Sequence, residues 1–127
     1  MHAQPRVAGE EHATTARITH ALSDLIDFGP IAGSGAVGRF GPADGPSIGL
    51  RAELDALPVT ELTGAPFAAT NGAMHACGHD MHVTAMLGAL ERLIATKDEW
   101  SGTVVAVFQP AEEYGAGALA MIADGVL

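Results

Sequence analysis

Between Glu10 and Phe28 the apolar residues Ile18, Leu22 and Leu25 recur at helical spacing, and Gly29-Pro30 interrupts them. The pattern predicts an amphipathic helix. Ile31 to Gly45 is rich in glycine and small residues, with Val37 and Phe40 in alternation, which suits a short edge strand between turns. Ser47 to Leu54 places Ile48, Leu50, Ala52 and Leu54 at a period of two, so a strand is expected there, with Asp55-Ala56-Leu57-Pro58 ending it. Val59 to Ala76 shows no sustained period and carries Pro66, Asn71 and Gly72; it reads as a long loop of the kind that usually serves function.

The clearest element follows. Val83, Met86, Leu87, Leu90, Leu93 and Ile94 share one helical face, predicting a helix from about Met81 to Thr96 with Asp80 as its N-cap. Thr103 to Phe108 is a continuous β-branched and apolar run, the pattern of a strand buried on both faces, and Gln109-Pro110 closes it. A last short helix is expected over roughly Ala116 to Ala123, entered through the glycines of Gly115-Ala116-Gly117 and ended before Gly125. No internal repeat interrupts this order. Strand, helix and strand make a right-handed βαβ unit, so the fold class is α/β with a mainly parallel sheet. Ligands of such sheets bind beyond the carboxyl ends of the strands, where Asp55 and the Glu112-Glu113 pair both lie.

Composition narrows the function. Six Lys plus Arg against fifteen Asp plus Glu give a formal charge of -9, which disfavours nucleic acid and anionic membranes as partners. Nothing approaches the roughly 20 uninterrupted apolar residues of a bilayer span, and the first thirty residues hold no signal-like run, so a soluble cytoplasmic protein is expected. Cys77 is the only cysteine; no intrachain disulfide can form.

Two segments carry candidate chemistry. Met74 to His82 holds three histidines, a thiol and a carboxylate in nine positions, and Cys77 and His79, separated by Gly78, can face one cation. The bland account is a small buried cysteine among polar loop histidines. Glu112-Glu113 follows the buried strand, and two adjacent carboxylates need a cation or solvent to stay ionised; the bland account is a solvated acidic loop. A hydrolytic metal centre needs ligands and one free carboxylate as base, tasks this pair could divide. Asp55 is a candidate for orienting a ligand or an ordinary turn residue. His82 could contact substrate, although an exposed helix histidine is the plainer account, while His2, His12 and His20 lack ligand spacing and read as surface residues.

In this order the motifs resemble the M20 metallopeptidase family, in particular its amidohydrolase branch of hippurate, N-acyl-amino-acid and auxin-conjugate hydrolases. They are His2-Ala3-Gln4-Pro5 with Glu10-Glu11, Arg51 to Pro58, Met74 to Asp80, Phe108 to Glu113, and Ala120 to Leu127. The resemblance implies a three-layer α/β/α catalytic domain and two divalent metal ions. It matches Cys77, His79 and Glu113 to metal ligands and Glu112 to the base that activates water. It implies hydrolysis of an N-acyl amino acid, with zinc favoured by a thiolate ligand and manganese, cobalt or nickel used by related enzymes. Glu53 stands where the family's motif usually has Asp.

The resemblance further implies that residues 1–127 are the amino-terminal part of a catalytic domain, without further histidine ligands or the lid and dimerisation domain that makes full-length relatives often homo-oligomeric. An isolated chain of this extent is then expected to bind metal weakly and turn over slowly. Two rivals stand beside this reading: a cysteine hydrolase using Cys77, and a non-catalytic remnant.

Overall fold

The computed structural model describes residues 1–42 and 44–127. Helix α1 (His12–Ala21) is followed by the hairpin β1 (Phe28–Ile31) and β2 (Gly35–Phe40), strand β3 (Ser47–Glu53), helix α2 (His79–Ala95), strand β4 (Thr103–Gln109) and helix α3 (Gly117–Ala123). The four strands form one sheet in the order β1-β2-β4-β3. Strands β3 and β4 pair in parallel around the α2 crossover, as the βαβ expectation required. The sheet as a whole is mixed rather than mainly parallel, because the hairpin adds two antiparallel pairings, β1 with β2 and β2 with β4.

Alternation along β4 separates the layers. Val104, Ala106 and Phe108 are buried and pack with Ile18 of α1, Leu22 just after it, and Val83, Met86 and Leu90 of α2. Val105 and Val107 face the other side with Met121 and Ile122 of α3, and are only half-buried. β4 is therefore not buried on both faces: a seven-residue helix covers too little of the second one.

Other boundaries differ for local reasons. The first helix ends at Ala21 rather than Phe28, since the amides of Ser23 and Leu25 turn back to His20 and Leu22 and the chain must straighten for Phe28 to pair with Gly38. Leu25, expected on the core face, is 47% exposed, and Ile26 is buried instead. Gly29-Pro30 does not merely stop a helix but lies inside β1, an edge strand where proline's missing N–H is tolerated. Ile31 to Gly45 thus supplies the end of one strand and all of a second; residue 43 lies outside the described residues. Residues 59–76 hold no helix or strand, apart from a bridge between Leu57 and Met74. No helix among the described residues is long and apolar enough to cross a membrane.

Candidate metal centre

Three segments converge beyond the carboxyl ends of β3 and β4. After Cys77 the chain turns through Gly78 in the left-handed conformation (φ 78°), directly before α2 begins at His79. A glycine is suited to that position because it has no Cβ to clash. His79 is buried, and its Nδ1 lies 2.8 Å from the backbone carbonyl oxygen of Asp55. A carbonyl can only accept, so Nδ1 carries the hydrogen, and in the neutral ring Nε2 is left to offer its lone pair. Nε2 points at the acidic pair, 3.6 Å from Glu112 Oε2 and 4.0 Å from Glu113 Oε1.

Those separations are too long for hydrogen bonds. They suit ligands of one ion, since donors each about 2.0–2.2 Å from a metal stand roughly 3–4 Å apart. His79, Glu112 and Glu113 each offer one ligand atom, all within 4.8 Å of one another. Asp55 Oδ1 and Glu113 Oε1 are buried without a hydrogen-bond partner. Buried carboxylate oxygens carry a high cost when left alone, so the donor set fits a divalent cation.

Asp55 serves the site by two routes. Its carbonyl orients the His79 ring, and its Oδ2 accepts a 2.9 Å hydrogen bond from the Glu113 N–H. The plain turn-residue account does not describe a residue that is 0% exposed, with its carbonyl on His79 and its carboxylate on Glu113. Cys77 is exposed and outside the three-residue group, yet coupled to it: a hydrogen bond with Glu113, then burial and the charges of Glu113, Glu112 and Asp55, push its thiol above the ordinary cysteine range. His79, Glu112 and Glu113, three of the four residues matched by resemblance, thus lie together, with Cys77 beside Glu113. Glu112 is the more open of the two acids, its side chain 40% exposed against 14% for Glu113.

A second cluster adjoins the first. His82 Nδ1 lies 2.8 Å from Glu53 Oε2, and Arg51 Nη1 donates to Glu53 Oε1 at 2.6 Å. Arg51 Nε also donates to Gln109 Oε1, tying the end of β3 to that of β4. Glu53, His79 and His82 again bring ligand atoms within 4.8 Å, but both Glu53 oxygens already have partners.

Two histidine and cap expectations need correction. Asp80 is not the N-cap of α2, a place taken by Gly78; it sits buried in the first turn, where its Oδ1 accepts from the Met81 N–H. His2 is no surface residue but a half-buried bridge, with Nδ1 2.6 Å from Asp80 Oδ2 and Nε2 3.0 Å from Glu61 Oε1. Histidine without ligand spacing gave no sign of this, because its partners lie 59 and 78 positions away.

The model of peptidase family M20/M25/M40 matches residues 49–127, more than half of the chain. The chain belongs to the M20 family. Among relatives of this M20 chain are the N-acetyl-L-cysteine deacetylase of Bacillus subtilis, 45% identical across the whole chain and 32% of that protein, and the IAA-amino acid hydrolase ILR1-like 5 of Arabidopsis thaliana, 40% identical across the whole chain and 30% of that protein. A solved Bacillus subtilis structure, YXEP, described as a dinuclear metal-binding peptidase from the M20 family, superposes with a TM-score of 0.93 at 40% identity. That match covers 99% of this chain and 36% of the other. The M20 chain described here thus spans about a third of the length of the curated relatives it matches.

Proposed function

We propose that this chain carries part of a two-metal amidohydrolase centre that hydrolyses N-acyl amino acids, with Cys77, His79 and Glu113 as metal ligands and Glu112 as the base. One observation carries the reading: His79 Nε2, stripped of other partners, faces two carboxylates at 3.6 and 4.0 Å beside the orphaned oxygens of Asp55 and Glu113. Divalent ions bound there supply Lewis acidity to the scissile carbonyl and to the attacking water. Membership of the M20 family and the dinuclear neighbour support the same chemistry.

The residues divide the work by their surroundings. Glu113 is held by its backbone to Asp55 and turned inward, which suits a ligand. Glu112 keeps solvent access and suits proton transfer. In the reaction a water oxygen bonds to the amide carbon and the carbon–nitrogen bond breaks; Glu112 takes a proton from the water and delivers it to the departing nitrogen. The Asp55 carbonyl keeps the His79 ring from turning throughout.

The cysteine-hydrolase rival fares worse. A nucleophilic cysteine needs a lowered thiol pKa, whereas the Glu113 bond and the surrounding acids raise that of Cys77. Cobalt titration of the purified chain tests the metal reading. Wild type is expected to bind cobalt with a thiolate charge-transfer band that Cys77→Ser removes, while His79→Gln and Glu113→Gln each weaken binding by about tenfold or more. Glu112→Gln is expected to retain the metal and lose hydrolysis of an N-acetyl amino acid by about 100-fold or more. A chain that takes up no cobalt, or takes it up equally well in all four variants, would defeat the reading.

A further inference from the structure

We propose that Glu11 is a positioning residue for the acidic pair, its carboxylate holding Ala111 in the left-handed backbone conformation from which Glu112 and Glu113 reach His79. Glu11 occupies the N-cap position of α1, where a short polar side chain such as Ser or Asp ordinarily caps the helix. It makes no such bond. Its side chain turns inward instead and is fully buried. There Oε2 accepts from the Ser34 hydroxyl at 2.7 Å and Oε1 accepts from the Ala111 N–H at 2.9 Å. Among the described residues no Lys, Arg or His pairs with it, so these neutral donors are what the carboxylate meets.

The turn it grips is unusual. Ala111 has φ 49°, a region that residues with a Cβ adopt only when their surroundings impose it. Those surroundings are specific. A Cβ at Gly35 would lie 2.7 Å from Pro110 Cδ, and one at Gly117 only 1.6 Å from the Pro110 carbonyl oxygen. The Gly117 N–H donates to the Ala111 carbonyl, and two residues beyond Ala111 the Glu113 N–H is fastened to Asp55. With Ala111 released from Glu11, the left-handed residue itself loses its side-chain hold, the Asp55 bond at Glu113 is left to fix the turn alone, and the two acids lose their common orientation toward His79.

Amide exchange and cobalt binding test this on separate footing; the cobalt arm rests on the metal reading above, the exchange arm does not. In wild type the Ala111 amide is expected to exchange slowly. Glu11→Gln, which can still accept from Ala111 and donate to Ser34, should change exchange and cobalt affinity by less than about threefold. Glu11→Ala should accelerate Ala111 exchange and weaken cobalt binding by about tenfold or more. Adding Ala111→Gly, which removes the cost of a positive φ, should restore at least half of the lost affinity on a logarithmic scale. A merely structural role would lower thermal stability without that rescue. If wild type binds no cobalt, the metal reading falls and exchange at Ala111 still decides the role of Glu11. Should Glu11→Ala fail to fold, wild type and Glu11→Gln decide alone. Fast exchange at Ala111 in wild type, or unchanged exchange and affinity in a folded Glu11→Ala chain, overturns the proposal.

Discussion

His2 presents both ring nitrogens to carboxylates, Nδ1 to Asp80 and Nε2 to Glu61. Carboxylates accept, so only the doubly protonated ring can satisfy both at once. The hydrogen bonds to Glu61 and then Asp80 accordingly raise the His2 pKa above its usual 6.5. A group whose folded value is raised stabilises the fold fully below its unfolded value and loses that contribution as pH climbs through the folded one. His2→Gln is therefore expected to lose stability relative to wild type in urea melts below pH 6.5, with the gap closing at alkaline pH. Glu61 behaves in the opposite sense. Bonds from Thr63, the Ala69 amide and His2 hold its carboxyl down at about 2, so its contribution is present above pH 4.5 and vanishes as pH falls toward 2. At Asp55, replacement by Asn can strand the Glu113 N–H or place an amide beside His79; a loss of about 1–3 kcal/mol in denaturant unfolding is expected.

The elements show why some of this was readable and some was not. Helix α2 and strand β4 announce themselves because their apolar spacing is set by the face they bury: Val83, Met86 and Leu90 against Val104, Ala106 and Phe108. Leu90→Ala is expected to cost about 2–5 kcal/mol in thermal or urea unfolding, since its side chain is wholly enclosed. The hairpin was half seen. Its strands carry Gly29, Pro30, Gly35 and Gly38, residues that signal turns, and they are strands because β2 pairs with the β4 edge and β1 in turn with β2. Gly38 must lack a side chain, as a Cβ there would meet Ile26 at 2.5 Å and Phe28 at 2.8 Å. Gly117 is similar but nearer the chemistry. Gly117→Ala would drive its Cβ into the Pro110 carbonyl and is expected to destabilise the fold by about 2–4 kcal/mol while displacing the acidic turn. The local order Cys77, Gly78, His79 was legible because its chemistry is dense in sequence; the supporting bonds from Glu11, Asp55 and His2 were not, because they exist only between distant segments.

Across the whole molecule, the centre draws on chain segments that the sheet order brings to one edge. In the proposed centre Cys77 precedes α2 and His79 opens it, Asp55 follows β3, and Glu112 and Glu113 follow β4. An ion bound by these groups ties the segments together and must raise the unfolding temperature by mass action. Added cobalt or zinc is expected to increase Tm in a concentration-dependent way, and His79→Gln to move that increase to about tenfold higher metal concentration or beyond. The acidic balance of -9 belongs to the same scale, favouring cations over anionic polymers throughout the surface.

The bond between the Ala111 amide and Glu11 closes a loop of one hundred positions. Contacts of such reach are the slow ones in folding, because the chain must lose the entropy of closure before they form. A nascent polypeptide can therefore form α2 early, yet the proposed ligand set cannot come together until residues 111 to 113 have emerged and found Glu11, synthesised one hundred positions before them.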